Sequence, residues 1–343
     1  MKILIFGNPV YCKALLDYIE RTGPCEVAGI CCGLARNSAL LQFRRIVAQI
    51  VYDLKLRRPA SHILYRHCTA DRAVLDYAQR RHVPLFSPQN QKDPAFYEAI
   101  QALQADLILS FGYPKLVPKR ILEAAHFGGI NIHPGRLPQR GGGTPNRWAV
   151  YYGDKTAGLY AHAMTSKFDA GSVLHSLDID IQDNLDAQTT EEALLANIPH
   201  FLDGLFAAIN NACAQNAHER FDSISQSAPD ILPPFRGPHQ RIDWEQDTSQ
   251  TIIQKCRAMR PKSGAITHYQ GQVLCFYGVE CVSEAQPSSA KPGCFLGFDQ
   301  DGWPLFKTRD GAIAVQKILY GSQVRSGKLL GWYYGIGSST QLG

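Results

Sequence analysis

The side chains best suited to chemistry lie in Gly129–Pro145, GINIHPGRLPQRGGGTP. Side chains alternate along a strand, so Asn131 and His133 face the same way, two residues apart. Pro134-Gly135 must stop that strand directly after His133. Both polar groups therefore sit at a strand's C-terminal end, where open α/β sheets bind their ligands. A glycine-rich loop follows, able to let a flat ligand approach the backbone closely. Downstream, Lys167-Phe168-Asp169-Ala170-Gly171 offers a carboxylate in a turn between two strands. An amide, an imidazole and a carboxylate suit acyl transfer to an amine. The Asn131 amide can stabilise a developing oxyanion, one such donor being worth ~10²–10³ in rate. His133 can manage protons, and Asp169 can orient the imidazole and support its charged form. Taken singly, each residue also has a plain structural reading: Asn-x-His can satisfy a turn, and Asp-Ala-Gly is an ordinary turn.

Positioning these groups requires a mostly parallel sheet. The runs KILIFG at 2–7, EVAGICCG at 26–33, VPLFSP at 83–88, ADLILSFG at 105–112 and GINIHP at 129–134 read as strands. Residues 10–22, 69–81 and 93–104 between them carry apolar positions at helical spacing. Continuous apolar strands alternating with helices predict an α/β fold, a twisted sheet with helices on both faces. GLYAHAMT at 158–165 and SVLHSLDIDI at 172–181 predict a later strand pair, and Thr189-Thr190-Glu191-Glu192 opens a long helix to about Cys213. Residues 34–67 interrupt the alternation with an amphipathic, basic stretch, either a docked solvated insertion or a contact for an anionic substrate. The segment 215–238, rich in Gln, Ser, Pro and Asn, reads as a linker between a catalytic domain at 1–214 and a small β-barrel domain at 239–343.

Composition narrows the function classes. With 45% hydrophobic and 19% charged residues in 343, the chain is an ordinary globular one, not disordered, collagen-like or coiled coil. The net charge of +5 splits evenly, +3 for residues 239–343 and +2 for the rest, which argues against a dedicated nucleic-acid surface. An RNA-binding module would have to rest on the small barrel and aromatics such as Phe276, Tyr277 and Trp303. No apolar run reaches the ~18–20 residues that cross a bilayer, so no membrane partner is expected. Asn8 and Pro9 cut the apolar N-terminus short, as a buried first strand would and a signal peptide would not. Ten cysteines without a C-x-x-C pair or Cys/His ligand spacing predict reduced thiols, a cytoplasmic location and no metal. Neither G-x-G-x-x-G, a P-loop nor G-x-S-x-G occurs, which removes the dinucleotide, nucleotide-triphosphate and serine-hydrolase readings.

The motif NIHPGRLPQRGGGTP at 131–145 and the turn Asp169-Ala170-Gly171 resemble the 10-formyltetrahydrofolate-dependent formyltransferases. RIDW at 241–244 and RAMRPKSGAIT at 257–267 resemble the oligonucleotide-binding-fold domain that follows in some members. The resemblance covers nearly the whole chain. It implies Asn131, His133 and Asp169 as the catalytic set and 10-formyltetrahydrofolate as co-substrate. Folate would lie along Phe111-Gly112-Tyr113, along Gly135-Arg136-Leu137-Pro138, and along the turn with Thr165, Lys167, Phe168, Ala170 and Gly171. The acceptor is a separate question, because the departures fall there. The tRNA-modifying members usually carry Ser-Leu-Leu-Pro where this chain has Gly135-Arg136-Leu137-Pro138. They also carry a Gly/Lys-rich loop after the second strand, where this chain has the insertion 34–67. Gly141-Gly142-Gly143 stands where others have bulkier residues. The expected acceptor is a small primary amine, a nucleotide-linked amino sugar, with methionyl-tRNA as the alternative.

Overall fold

Strand and helix periodicities resolve into two packed units joined through a short shared wall. The computed structural model describes residues 1–34, 61–181, 185–215, 220–221, 231–282, 289–321 and 323–343, with side chains from residue 69 in the helix that starts at 61. The first unit runs β1 (Lys2–Gly7), α1 (Pro9–Thr22), β2 (Glu26–Cys32), α2 (Ser61–Arg81), β3 (Leu85–Phe86), α3 (Pro94–Ala102), β4 (Leu107–Phe111), α4 (Lys119–Leu122) and β5 (Gly129–His133). It continues with β6 (Gly141–Gly142), α5 (Pro145–Tyr152), β7 (Thr156–Ala163), β8 (Val173–Asp180), α6 (Ala187–Ala196) and α7 (Ile198–Gln215). Of the insertion read over 34–67, residues 35–60 lie outside the described residues, and 61–67 begin α2.

The seven-stranded sheet has the order β3-β2-β1-β4-β5-β7-β8. Pairs β1–β2, β2–β3, β1–β4 and β4–β5 are parallel, while β5–β7 and β7–β8 are antiparallel. Strand alternation explains why the apolar runs are continuous. Ile3, Ile5, Leu107 and Leu109 pack with α1 and α7 on one face, and Leu4, Phe6 and Ile108 with α3 and α4 on the other. All seven are fully buried, each contributing ~1.5–3 kcal/mol of apolar burial. Because β2 and β4 flank β1, the connections leave β1 in opposite directions and open a crevice at the C-terminal strand ends. Asn8 caps α1 there, accepting the Tyr11 N–H at 3.1 Å, with Pro9 preset at the first helical turn.

The long helix expected to Cys213 is two. Asp186 caps α6 in a reciprocal box with Thr189, and α7 starts anew at Ile198-Pro199, since Pro199 has no N–H to continue the ladder. The stretch expected as a plain linker contains β9 (Ile231–Leu232), which pairs in parallel with β6. After α8 (Ser249–Met259) come β10 (Ala265–Tyr269), β11 (Gln272–Val282), β12 (Phe295–Phe298), β13 (Pro304–Lys307), β14 (Ala312–Tyr320), β15 (Gln323–Ser326) and α9 (Leu330–Tyr334). These strands form an antiparallel sheet of order β10-β11-β14-β13-β12, with β15 on β14. The ladder does not close into the expected barrel among the described residues. Instead the C-terminal tail spans the gap, Gly343 bonding His268 beside β10 and Thr340 and Leu342 bonding residues 293–295. Phe276 is fully buried and Tyr277 nearly so, which removes both from any base-stacking surface. The two units meet where α5 packs on α8, through Trp148, Phe235, Ala258 and Met259.

Candidate active site

The site forms where three strand ends and two turns converge. On β5, Asn131 and His133 emerge on one side, as the alternation requires, and both line a cavity of about 680 Å³. Asp169 enters from the turn between β7 and β8, at a positive φ of 49° that Asp and Asn tolerate better than most residues. Its carboxylate lies 3.6 Å from His133 Nδ1 and accepts the Gly142 N–H at 2.7 Å. The expected catalytic set is thus brought together.

A second imidazole beside this set is not legible in the sequence. His162 of β7 stands opposite Asn131 in the antiparallel pair, with Nε2 3.1 Å from Asn131 Nδ2 and 3.3 Å from Asp169 Oδ1. Its Nδ1 lies 2.8 Å from the Ala163 carbonyl, an acceptor only, so Nδ1 carries the hydrogen. Nε2 is within reach of one Asn131 amide hydrogen and of the Asp169 carboxylate. The second amide hydrogen has no partner among the described residues and is free for an oxyanion. The available signal was a lone imidazole in the apolar run GLYAHAMT, two strand positions after Tyr160. Pairing with Asn131 is what gives it meaning, and pairing is not local.

Electrostatics set the resting state. Burial pushes the His133 imidazole below its ordinary value, although the Asp169 charge and the Arg140 carbonyl pull the other way. Burial likewise works to raise the Asp169 carboxyl. Its contacts with His162 and His133 and the Gly142 N–H outweigh it and hold the group below its usual range. A neutral imidazole therefore faces an ionised carboxylate, which suits a base about to accept a proton. His133 Nε2 lies 2.7 Å from the Arg140 carbonyl, so Nε2 carries the hydrogen and Nδ1 is the open position.

The residues expected along a folate divide. Gly112, Tyr113, Thr165, Lys167 and Phe168 line the cavity, Tyr113 held by its hydroxyl donating to Gln91 at 2.8 Å. Phe111 does not: it is fully buried and stacked on Tyr11 at 4.0 Å. Gly135, Arg136, Leu137 and Pro138 also stay off the lining, because the chain turns aside after Pro134 and Arg136 pairs with Asp178 of β8 at 3.3 Å. Ala170 and Gly171 are buried behind the turn. In the glycine-rich loop Gly142 and Gly143 line the cavity, and both are also required by chain packing. A Cβ at Gly142 would sit 2.2 Å from the Leu232 carbonyl oxygen, and one at Gly143 2.9 Å from the Pro234 ring. The far wall is built from Ile231 to Pro234 and from Arg260, Pro261 and Lys262, none of which sequence reading placed at the site. Among the described residues no group of His, Cys, Asp and Glu could hold a metal, and no helix is long and apolar enough to cross a membrane.

Comparison with known proteins agrees with this geometry. The formyl transferase family model matches residues 2–202, and the formyl transferase C-terminal domain model matches residues 238–328. A methionyl-tRNA formyltransferase of Geobacillus thermodenitrificans is 28% identical over 249 residues, 70% of this chain and 73% of the relative. Two solved structures share the fold. HypX from Aquifex aeolicus in complex with tetrahydrofolic acid has a TM-score of 0.55 at 17% identity over 98% of this chain, which spans 48% of HypX. WlaRD, a sugar 3N-formyl transferase, has a TM-score of 0.55 at 11% identity, covering 91% of this chain and 96% of WlaRD. With a family match over more than half its length, this chain belongs to the formyl transferase family and is a formyl-transferring enzyme.

Proposed function

We propose that the enzyme moves a formyl group from 10-formyltetrahydrofolate to the primary amine of a small anionic acceptor, a nucleotide-linked amino sugar. One observation carries this reading: Asn131, His133 and Asp169 open on a single cavity whose lining also carries Arg147, Arg260, Lys262, Lys115 and Lys167 against Glu191. At about 680 Å³ it lies within the ~300–1,000 Å³ usual for small-molecule sites. Tyr113, Met164 and the half-exposed ring of Phe168 give it apolar walls that fit a flat folate, at one end near Gly112. When bound, folate supplies the formyl group and takes a proton on the nitrogen that carried it.

The protein's part follows from the geometry. The free Asn131 N–H binds the carbonyl oxygen as negative charge develops on it. His133 Nδ1 takes the proton that the acceptor amine loses, and Asp169 stabilises the imidazolium so formed. Arg147 donates from one nitrogen to the Ala258 carbonyl at 3.0 Å, and the side chain borders the cavity. Arg260 is already committed to the Tyr277 carbonyl and to Asp186, whereas Lys262 is exposed and has no partner among the described residues. Arg147 and Lys262 supply the one or two cations that a diphosphate needs.

Methionyl-tRNA is the second reading, favoured by the curated relatives, which are 24–28% identical methionyl-tRNA formyltransferases. A turnover screen with 10-formyltetrahydrofolate against amino-sugar nucleotides and methionyl-tRNA, between low and moderate salt, separates the two. The proposal expects turnover of an amino-sugar nucleotide with a gentle salt dependence. Efficient formylation of methionyl-tRNA with a steep salt slope, and no amino-sugar turnover, overturns it.

A further inference from the structure

Both members of the proton-handling pair are bonded by the same short run of main chain. The Arg140 carbonyl meets His133 Nε2 at 2.7 Å, and the Gly142 N–H meets Asp169 Oδ2 at 2.7 Å. This run is pinned at three points. Gly141 and Gly142 pair with Ile231 and Leu232, and the Arg140 N–H donates to the Arg136 carbonyl at 2.7 Å. The third point is the Arg140 side chain. Its guanidinium grips Asp154 with two parallel bonds, Nε to Oδ2 at 2.7 Å and Nη2 to Oδ1 at 2.6 Å. It also lies over the Tyr152 ring, 4.4 Å from the centroid. The pair is four-fifths buried, and a forked Arg–carboxylate bond fixes direction as well as distance. Asp154 is itself tied to the end of α5, its N–H donating to the Ala149 carbonyl at 2.9 Å.

We propose that Arg140, clamped by Asp154, is a positioning residue that locks His133 as the Nε2–H tautomer and so makes Nδ1 the proton acceptor. The inference rests on the reading of His133 as the proton handler and is independent of which amine is the acceptor. A carbonyl can only accept, so its placement at Nε2 decides the tautomer. Were the carbonyl to swing away, the hydrogen would be free to move to Nδ1, where it would bond Asp169. The nitrogen facing the carboxylate would then be blocked as a base. The charged or titratable groups that face the imidazole are Asp169 and His162, and neither touches Nε2. Arg140 acts there through its backbone, which is why a sequence motif of Arg-Gly gives no hint of it.

The test uses the full chain with ¹⁵N-labelled histidine. Imidazole nitrogens that carry a hydrogen and those that do not resonate far apart, and His133→Gln identifies the His133 pair. In the native protein Nε2 should be the protonated nitrogen. Arg140→Ala and Asp154→Asn should each give a mixture of tautomers and lower kcat by about 10–100-fold, the loss typical when the partner that orients a metal-ligating histidine is removed. KM for both substrates should stay within twofold. Arg140→Lys, which keeps one ionic contact, should recover part of kcat. Should Arg140→Ala fail to fold, Asp154→Asn, which changes one atom, carries the same test. Nδ1–H in the native enzyme overturns the proposal, and so does an unchanged tautomer and kcat in the folded variants. Lost turnover with an unchanged tautomer also counts against it. If His133→Gln keeps full turnover while the tautomer shift is seen, what has failed is the role assigned to His133 and not the clamp.

Discussion

Asp169→Asn isolates the charge in the catalytic set from its shape. The amide is close to isosteric with the carboxylate, keeps an oxygen for the Gly142 N–H, and tolerates the left-handed backbone of residue 169, where φ is 49°. What it removes is a negative charge 3.6 Å from His133 Nδ1, in a pair whose side chains are 6% and 8% exposed. At an effective dielectric constant of about 20, a full imidazolium–carboxylate attraction at that separation is roughly 4–5 kcal/mol. That is a ceiling, because the proton is only part-transferred in the transition state. Half to three-quarters of it corresponds to a loss of about 50–500-fold in kcat, at the lower end of what general acid–base catalysis supplies.

The pH profile adds a second, independent sign. Asp169 pulls the His133 imidazole upward against the effect of burial, so its removal lowers that group further. The acid limb of kcat/KM in the variant should therefore move to lower pH while its plateau falls. The assay is steady-state formyl transfer from 10-formyltetrahydrofolate across pH 5–9, with folding checked by urea denaturation. A folded variant within threefold of native kcat, or an acid limb moved to higher pH, refutes the assigned role of the carboxylate.

Two further predictions follow from burial and sterics. His133 has a folded pKa below its unfolded value of about 6.5, so its contribution to stability is present above that pH and is lost as pH falls through and below it. The native melting temperature should drop more steeply from pH 7 to 5 than that of His133→Gln, and parallel curves would contradict this. Gly171→Ala would place a Cβ 1.8 Å from the Ala163 carbonyl oxygen, so it should destabilise the β7–β8 corner by ~1–3 kcal/mol or more. A denaturation midpoint equal to the native one would show that the turn has room the structure denies. A bulky residue there is for the same reason no probe of folate binding.

Local pattern carried the sheet and failed at the site's periphery, for identifiable reasons. Periodicity in KILIFG and ADLILSFG reports burial on two faces, and β1 and β4 formed where it said. Asn131 and His133 could be placed on one side of β5 because strand alternation is a local rule. His162 could not be paired with Asn131 from sequence, since β5–β7 register is set between segments some thirty residues apart. The strand pairing of the glycine-rich loop was hidden for a related reason. Gly141 and Gly142 pair with Ile231 and Leu232, ninety residues downstream, and no property of either dipeptide announces a two-residue strand. The helix α5 went unread because Gly141–Pro145 dominates the reading of that stretch, while Pro145 in fact occupies its first turn. Residues 135–138 were carried in with the motif they belong to. Their position follows from Arg136 finding Asp178, a contact across the fold.

These long-range pairings also change where the chemistry and the specificity sit. A reading by domains assigns the reaction to the first unit and the acceptor to the second, with a passive link between. In the structure the link is part of the site: Leu232 accepts the Gly143 N–H at 2.9 Å, Pro233 accepts the Trp148 indole N–H at 2.7 Å, and Thr144 Oγ1 accepts the Phe235 N–H at 2.7 Å. The main chain that holds Asp169 is thus held in turn by the segment leading to Arg260 and Lys262. The wall that carries Arg260 and Lys262 is therefore joined by hydrogen bonds to the run of main chain that contacts His133 and Asp169. On the proposed function, an acceptor that binds Lys262 would bear on the same wall that holds the main chain around His133 and Asp169.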